Sequence, residues 1–163
     1  MSTERHVALV DDLRRLMRTR LLDPLEILLG EADTGDTTAV LEAALRIQCE
    51  AWAARLLDGT DAAARATAAR LVSALYPGDD AFDPPREWWS TPLGRAVAAR
   101  AGHPTAESVS YATAGAMLGI TRQGVADLLT RGKLDRHPDG GVSAASVSAR
   151  LSRPGTRPTG STR

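Results

Sequence analysis

The sequence predicts a mainly α protein: a helical N-terminal domain over residues 1–105, a C-terminal helix-turn-helix domain with a small β-hairpin over 106–152, and a basic tail at 153–163. Three observations predict it. Apolar residues recur at three- and four-residue spacing through most of the first hundred positions. The stretch SYATAGAMLGITRQGVADLLTRGKL, residues 110–134, holds two short helical patterns hinged at Leu118-Gly119-Ile120-Thr121. Charge also divides between the parts, although the 163-residue chain is neutral as a whole. Residues 1–105 carry 12 basic and 16 acidic side chains, net −4, whereas residues 106–163 carry 8 and 4, net +4.

Hydrophobic residues at 43% and charged residues at 25% are the proportions of a globular chain, and no apolar run approaches the roughly 18 residues of a membrane span. The opening MSTERHVALVDDLRRLM has early acidic residues and no apolar block before a small-residue cleavage site, so a cytoplasmic protein without membrane contact is expected. The single cysteine, Cys49, has no internal partner for a disulfide and reads as a buried structural thiol within a helix.

In the N-terminal part, Val10, Leu13, Met17 and Leu21 form one apolar face of a first helix. Asp23-Pro24 reads as a cap with a first-turn proline for a short segment that Gly30 ends. The next helix presents Val40, Ala44, Ile47, Ala51 and Ala54 in register. Thr60 then caps DAAARATAARLVSALY, and these two helices are expected to pair as a hairpin. The loop PGDDAFDPP contains Asp79 and Asp80, read as solvated charges. Acid–base or metal chemistry needs convergent partners, and His6, His103 and His137 stand at no ligand spacing. No catalytic, cofactor or metal role is assigned to any residue. Trp88 and Trp89 precede a helix capped by Ser90 or Thr91 with Pro92 at its first position, where large aromatics plug a core or fasten a neighbouring segment.

GHPTAESV reads as the linker to the second part, after which Ser110 caps a helix over 111–118. Gly119 permits a sharp turn, Ile120 is the apolar residue that such a turn buries, and Thr121 caps a second helix carrying Val125, Leu128 and Leu129 on one face. Ala114 and Gly115 are small enough for the helices to cross closely. Such a second helix fits the major groove and offers its first residues to base edges. Here those are Thr121, Arg122 and Gln123, with Gly124 leaving room for approach. Arginine pairs bidentately with guanine and glutamine with adenine. Arg131-Gly132-Lys133 ends the helix, and a hairpin follows with Leu134 and Val142 inward, a Pro138-Asp139-Gly140-Gly141 turn, and Arg136 and His137 near its tip. A last helix carrying Val147 and Leu151 is expected to dock on the hairpin.

Residues 108–152 resemble the winged helix-turn-helix of excisionase-type and MerR-like DNA-binding domains. The resemblance rests on the small residues of the first helix, Leu-Gly-Ile-Thr at the turn, Arg-Gln after the cap and Arg-Gly-Lys-Leu entering the wing. It implies major-groove binding by the second helix and backbone or minor-groove contact by the wing. The chain departs from that pattern at Asp139-Gly140-Gly141, where such domains usually carry basic and aromatic residues, and at Asp127 on the second helix.

The expectation is a sequence-dependent protein of double-stranded DNA, a nucleoid-associated transcriptional regulator rather than an enzyme. Its expected DNA contacts are Ser110, Thr121, Arg122, Gln123, Gly124, Arg131, Lys133, Arg136 and His137. A homodimer through the N-terminal domain is expected, because one small winged helix reads only a half-site. Two alternatives stand beside it: an excisionase-like recombination accessory factor, and an interaction module that binds a protein partner and no DNA. The tail, rich in Pro, Gly, Ser, Thr and Arg, is expected to be disordered.

Overall fold

Helix α1 (Thr3–Met17) buries Leu9, Val10, Leu13, Leu16 and Met17 along one stripe. The computed structural model that contains it describes residues 3–30, 35–78 and 80–153. The chain divides into two units, Met1–Asp79 and Asp80–Arg163.

In the first unit the helix does not stop at Met17. A π-helical turn (Arg18–Leu22) carries it into α2 (Asp23–Leu29) with right-handed helical backbone at both junctions. Asp23 is therefore not a cap, as its place before a proline suggested. The Asp23 N–H reaches back five residues to the Arg18 carbonyl, and Pro24 has no N–H to continue the ordinary ladder. The Asp23 carboxylate instead takes the Arg18 Nε at 2.7 Å. Gly30, at φ 78°, ends α2 as expected. Leu21, expected on the buried stripe, is exposed, because the wider π turn rotates the following residues off that face.

Helix α3 (Gly35–Asp58) packs between α1 and α4 (Asp61–Leu75), and Thr60 caps α4 by accepting the Ala63 N–H at 3.3 Å. The buried face of α3 is Cys49, Ala53 and Leu56, opposite the one expected: Val40, Ala44, Ile47 and Ala54 are exposed and Ala51 is half-buried. An alanine-rich helix is apolar nearly all round, so its own periodicity does not choose a face. Its neighbours choose, and α1 and α4 take the face that carries Leu56 and Cys49. The guanidinium of Arg20 closes the unit by stacking 4.2 Å from the Tyr76 ring and donating to the Leu75 carbonyl. Burial pushes the Cys49 thiol above its ordinary pKa, with the nearby Arg14 charge opposing and Glu50 adding to the rise.

The second unit starts well before residue 106. A 3-10 turn (Arg86–Ser90) sets Trp88 and Trp89 into its interior, edge to face at 4.8 Å, with Phe82 against Trp88 at 5.1 Å. Thr91 caps α5 (Pro92–Ala101), and Gly94 lies against the Trp88 carbonyl, where a Cβ has no room. The segment expected to be a linker is held in place. His103 Nδ1 accepts the backbone N–H groups of Thr105 (3.3 Å) and Ala106 (3.0 Å), and its ring lies 5.4 Å from that of Trp89. Burial lowers the His103 pKa, with Asp83 opposing, which favours the neutral ring that can accept those bonds. Strand β1 (Ser108–Val109) then pairs antiparallel with β2 (Val142–Ser143), Val109 opposite Val142.

Helices α6 (Tyr111–Leu118), α7 (Arg122–Thr130) and α8 (Ala144–Ser152) complete the unit. The last helix docks chiefly on α5 and then α6, where the hairpin was expected to receive it. Ser148 and Ser152 both donate to the Ala99 carbonyl, at 3.1 and 2.6 Å, and Val147 is fully buried. Residues 80–105, expected in the N-terminal domain, thus supply the platform of the C-terminal one. From Pro154 onward the expected basic tail lies outside the described residues, as does Asp79. No helix among the described residues is long and apolar enough to cross a membrane.

Candidate nucleic-acid interface

The turn between α6 and α7 is built by three short-range devices. Ser110 caps α6, its Oγ accepting the Thr113 N–H at 3.0 Å. Gly119 ends it in the left-handed conformation, φ 68° and ψ 32°, while the Ile120 N–H returns to the Gly115 carbonyl at 2.9 Å. Thr121 opens α7 by accepting the Gly124 N–H at 3.1 Å. A Cβ on Gly115 would stand 2.8 Å from the Ile120 carbonyl oxygen, so glycine is what lets the turn fold back on α6.

Val125 and Leu129 anchor α7 against the core. Leu128, expected on the same face as these two, is only half-buried, since it lies between the core and the solvent side. Arg122, Gln123 and Asp127 are left exposed on the outer side. Gln123 Nε2 donates to Asp127 Oδ1 at 3.2 Å, one helical turn on, so the amide is held along the helix.

Two more devices close the far end of α7. The Lys133 N–H reaches the Leu128 carbonyl at 2.8 Å and Gly132, at φ 62°, donates to that of Leu129, a glycine-ended helix stop. The chain then passes buried Leu134 and returns through a tight turn in which Gly140 (φ 97°) and Gly141 (φ 76°) take left-handed backbone. Where a hairpin was expected, Arg136 and Val142 form a single antiparallel bridge, and the ladder of β2 is to β1.

The structure does not bring all the expected contact residues together. Thr121, Arg122, Gln123 and Gly124 cluster at the start of α7. Arg131 and Lys133 lie beyond its end, about 13 Å away along a nine-residue helix. Arg136 Nη1 donates to the hydroxyl of Tyr111, the residue that follows Ser110, at 2.6 Å. His137 is half-buried and builds the turn, its Nδ1 accepting the Asp139 N–H at 3.2 Å. Tyr111 was not singled out from sequence, because nothing local couples it to a residue 25 positions later.

The two units differ in the sign of their net charge. Arg14, Arg15 and Arg18 of the first unit are each engaged by carboxylates of that unit. Among the described residues, Arg122, Arg131 and Lys133 are exposed and make no ion pair, which leaves their charge available to an external anion. Counted at the observed boundary, residues 80–163 carry 11 basic and 7 acidic side chains, net +4. No group of three His, Cys, Asp or Glu side chains with metal-holding geometry occurs among the described residues. Comparison with protein-family models, curated proteins and solved structures finds no match.

Proposed function

We propose that the second unit is a winged helix-turn-helix that binds double-stranded DNA and that the chain is a transcriptional regulator acting at the nucleoid. The observation that carries this reading is α7 itself. Its start is capped by Thr121 and exposes Arg122 and Gln123, while Val125 and Leu129 hold the opposite side in the core. A helix so placed can enter a major groove, with Arg122 set to meet guanine and Gln123 to meet adenine once Asp127 releases it. Arg131, Lys133 and Arg136, beyond the other end of the helix, suit phosphate contacts that position without reading sequence.

One observation favours a second reading. The Gln123–Asp127 hydrogen bond places a carboxylate on the outer face of α7, where it repels phosphate and suits a protein partner instead. The test is selection of bound duplexes from a random pool by the full chain. Anisotropy titrations of wild type, Arg122→Ala and Gln123→Ala on the selected and scrambled duplexes follow, at two salt concentrations. Sequence reading by α7 requires each variant to lower the selected-to-scrambled affinity ratio. An unchanged ratio with intact folding removes α7 as the reading head, and no salt-dependent binding to any duplex leaves the protein-partner reading.

A further inference from the structure

Between Leu134 and Ser143 the chain carries a single arginine or lysine, Arg136, flanked by the exposed carboxylates of Asp135 and Asp139. A guanidinium in such company is drawn to a neighbouring carboxylate, which would cancel its charge towards any external anion. Arg136 does not pair in this way. Among the described residues it forms no ion pair, while the Asp139 carboxylate lies 3.7 Å from His137 Nδ1. Arg136 Nη1 donates instead to the Tyr111 hydroxyl at 2.6 Å, across 25 positions of sequence. The backbone brings the two residues together. Arg136 bridges to Val142, Val142 pairs with Val109 of β1, and Tyr111 follows Val109 by two residues. Tyr111 is half-buried in the first turn of α6, a firmer base than the glycine turn into which Arg136 leads.

We propose that Tyr111 is a positioning residue for a DNA phosphate contact: its neutral hydroxyl holds the Arg136 guanidinium in place without cancelling its charge, so that Arg136 meets the duplex backbone already aligned. The proposal rests on the reading of the second unit as a DNA-binding domain and adds to it a residue that acts through another. The chemistry follows from the two side chains. A phenol oxygen accepts one of the five guanidinium N–H groups. Contact through Nη1 leaves open the edge formed by Nε and Nη2, a fork that matches two oxygens of a phosphate. A carboxylate in the place of the phenol would hold the guanidinium and neutralise it. An arginine already held in one arrangement also loses less side-chain freedom on binding. Phosphate carries no sequence information, so the hydroxyl acts on affinity for every duplex and not on base preference.

The test is anisotropy titration of the full chain on the selected and scrambled duplexes across a series of salt concentrations. Wild type, Tyr111→Phe, Arg136→Ala and the double variant are compared, with melting temperature as the check on folding. Tyr111→Phe removes the hydroxyl and keeps the ring. It should weaken both duplexes by the same factor and shallow the salt dependence, the log–log slope falling by up to about 0.9, the contribution of one phosphate contact. At about 0.1 M salt that change corresponds to a loss of up to about eightfold. Arg136→Ala should do the same, and the double variant should lose no more than Arg136→Ala alone, because the hydroxyl acts only through the guanidinium. A merely structural hydroxyl would lower the melting temperature and leave the slope as in wild type. An unchanged slope in Tyr111→Phe, or losses that add in the double variant, overturns the proposal and leaves the DNA-binding reading standing, which Arg122→Ala tests separately. A wild type without salt-dependent binding to either duplex overturns both.

Discussion

A fragment of residues 80–163 should fold by itself, whereas a fragment of residues 106–163 should not. The second deletion removes Trp88, Trp89, Leu93 and Val97, all buried, together with the Ala99 carbonyl to which Ser148 and Ser152 are bonded. At about 2 kcal/mol for each large apolar side chain, the lost burial is on the order of 8 kcal/mol, an upper estimate because the unfolded chain is not fully extended. A domain has only about 5–15 kcal/mol of net stability, so the loss consumes most or all of it. Within the longer fragment, Trp89→Ala alone should cost about 3–5 kcal/mol, the usual range for emptying a buried aromatic site. Urea denaturation followed by far-ultraviolet circular dichroism supplies both quantities, with amide chemical-shift dispersion as the check on folding. A cooperative transition in the 106–163 fragment, or a Trp89→Ala cost below about 1 kcal/mol, would refute the assignment of residues 80–105 to the second unit's core.

The glycines of the turn should respond with opposite signs. Gly115→Ala should destabilise by about 1–3 kcal/mol, since its Cβ meets the Ile120 carbonyl oxygen at 2.8 Å and backbone must move. Gly124→Ala, whose nearest neighbours stand at an ordinary 3.5 Å, should be neutral or gain up to about 1 kcal/mol of helix propensity. Thermal melts of the two variants compare them directly. His103 has a folded pKa below its ordinary 6.5, so its contribution is fully present above pH 6.5 and is lost as pH falls through the lower folded value. Melting temperature should therefore decline on acidification in that window, and His103→Gln should flatten this part of the profile. Arg122→Ala should cost about 1–3 kcal/mol on a selected duplex and much less on a scrambled one, measured by anisotropy. Cys49, buried and with its thiol pKa raised, should react with a thiol reagent orders of magnitude more slowly in native protein than in denaturant.

The parts legible in sequence are those decided within a few residues of chain. Thr60, Thr91, Ser110 and Thr121 cap the helices at which they were placed, because a cap is a hydrogen bond between a side chain and an N–H three residues later. Gly119, Gly132, Gly140 and Gly141 turn the chain where their permissive backbone was read. The outward position of Arg122 and Gln123 followed from the cap and the helical period alone.

Where competing partners exist, the sequence by itself was silent, and tertiary contact decided. α3 is apolar on both sides, and only the presence of α1 and α4 determines that Cys49 is inside and Ile47 outside. Pro24 looked like a helix start, yet packing of α1 and the Arg18 bridges to Asp23 and Glu26 keep the chain helical through a π turn. The segment 103–109 has the composition of a linker, and it becomes structure through Trp89 and Val142, which lie 14 residues before His103 and 33 after Val109. The Tyr111–Arg136 bond and the docking of α8 on α5 are of the same kind. Local hydrogen bonding acts through the few dihedral angles between donor and acceptor and so is written in the sequence at short range. Which of two apolar faces is buried depends on surfaces brought together from far along the chain, and that choice is made only when the whole unit packs.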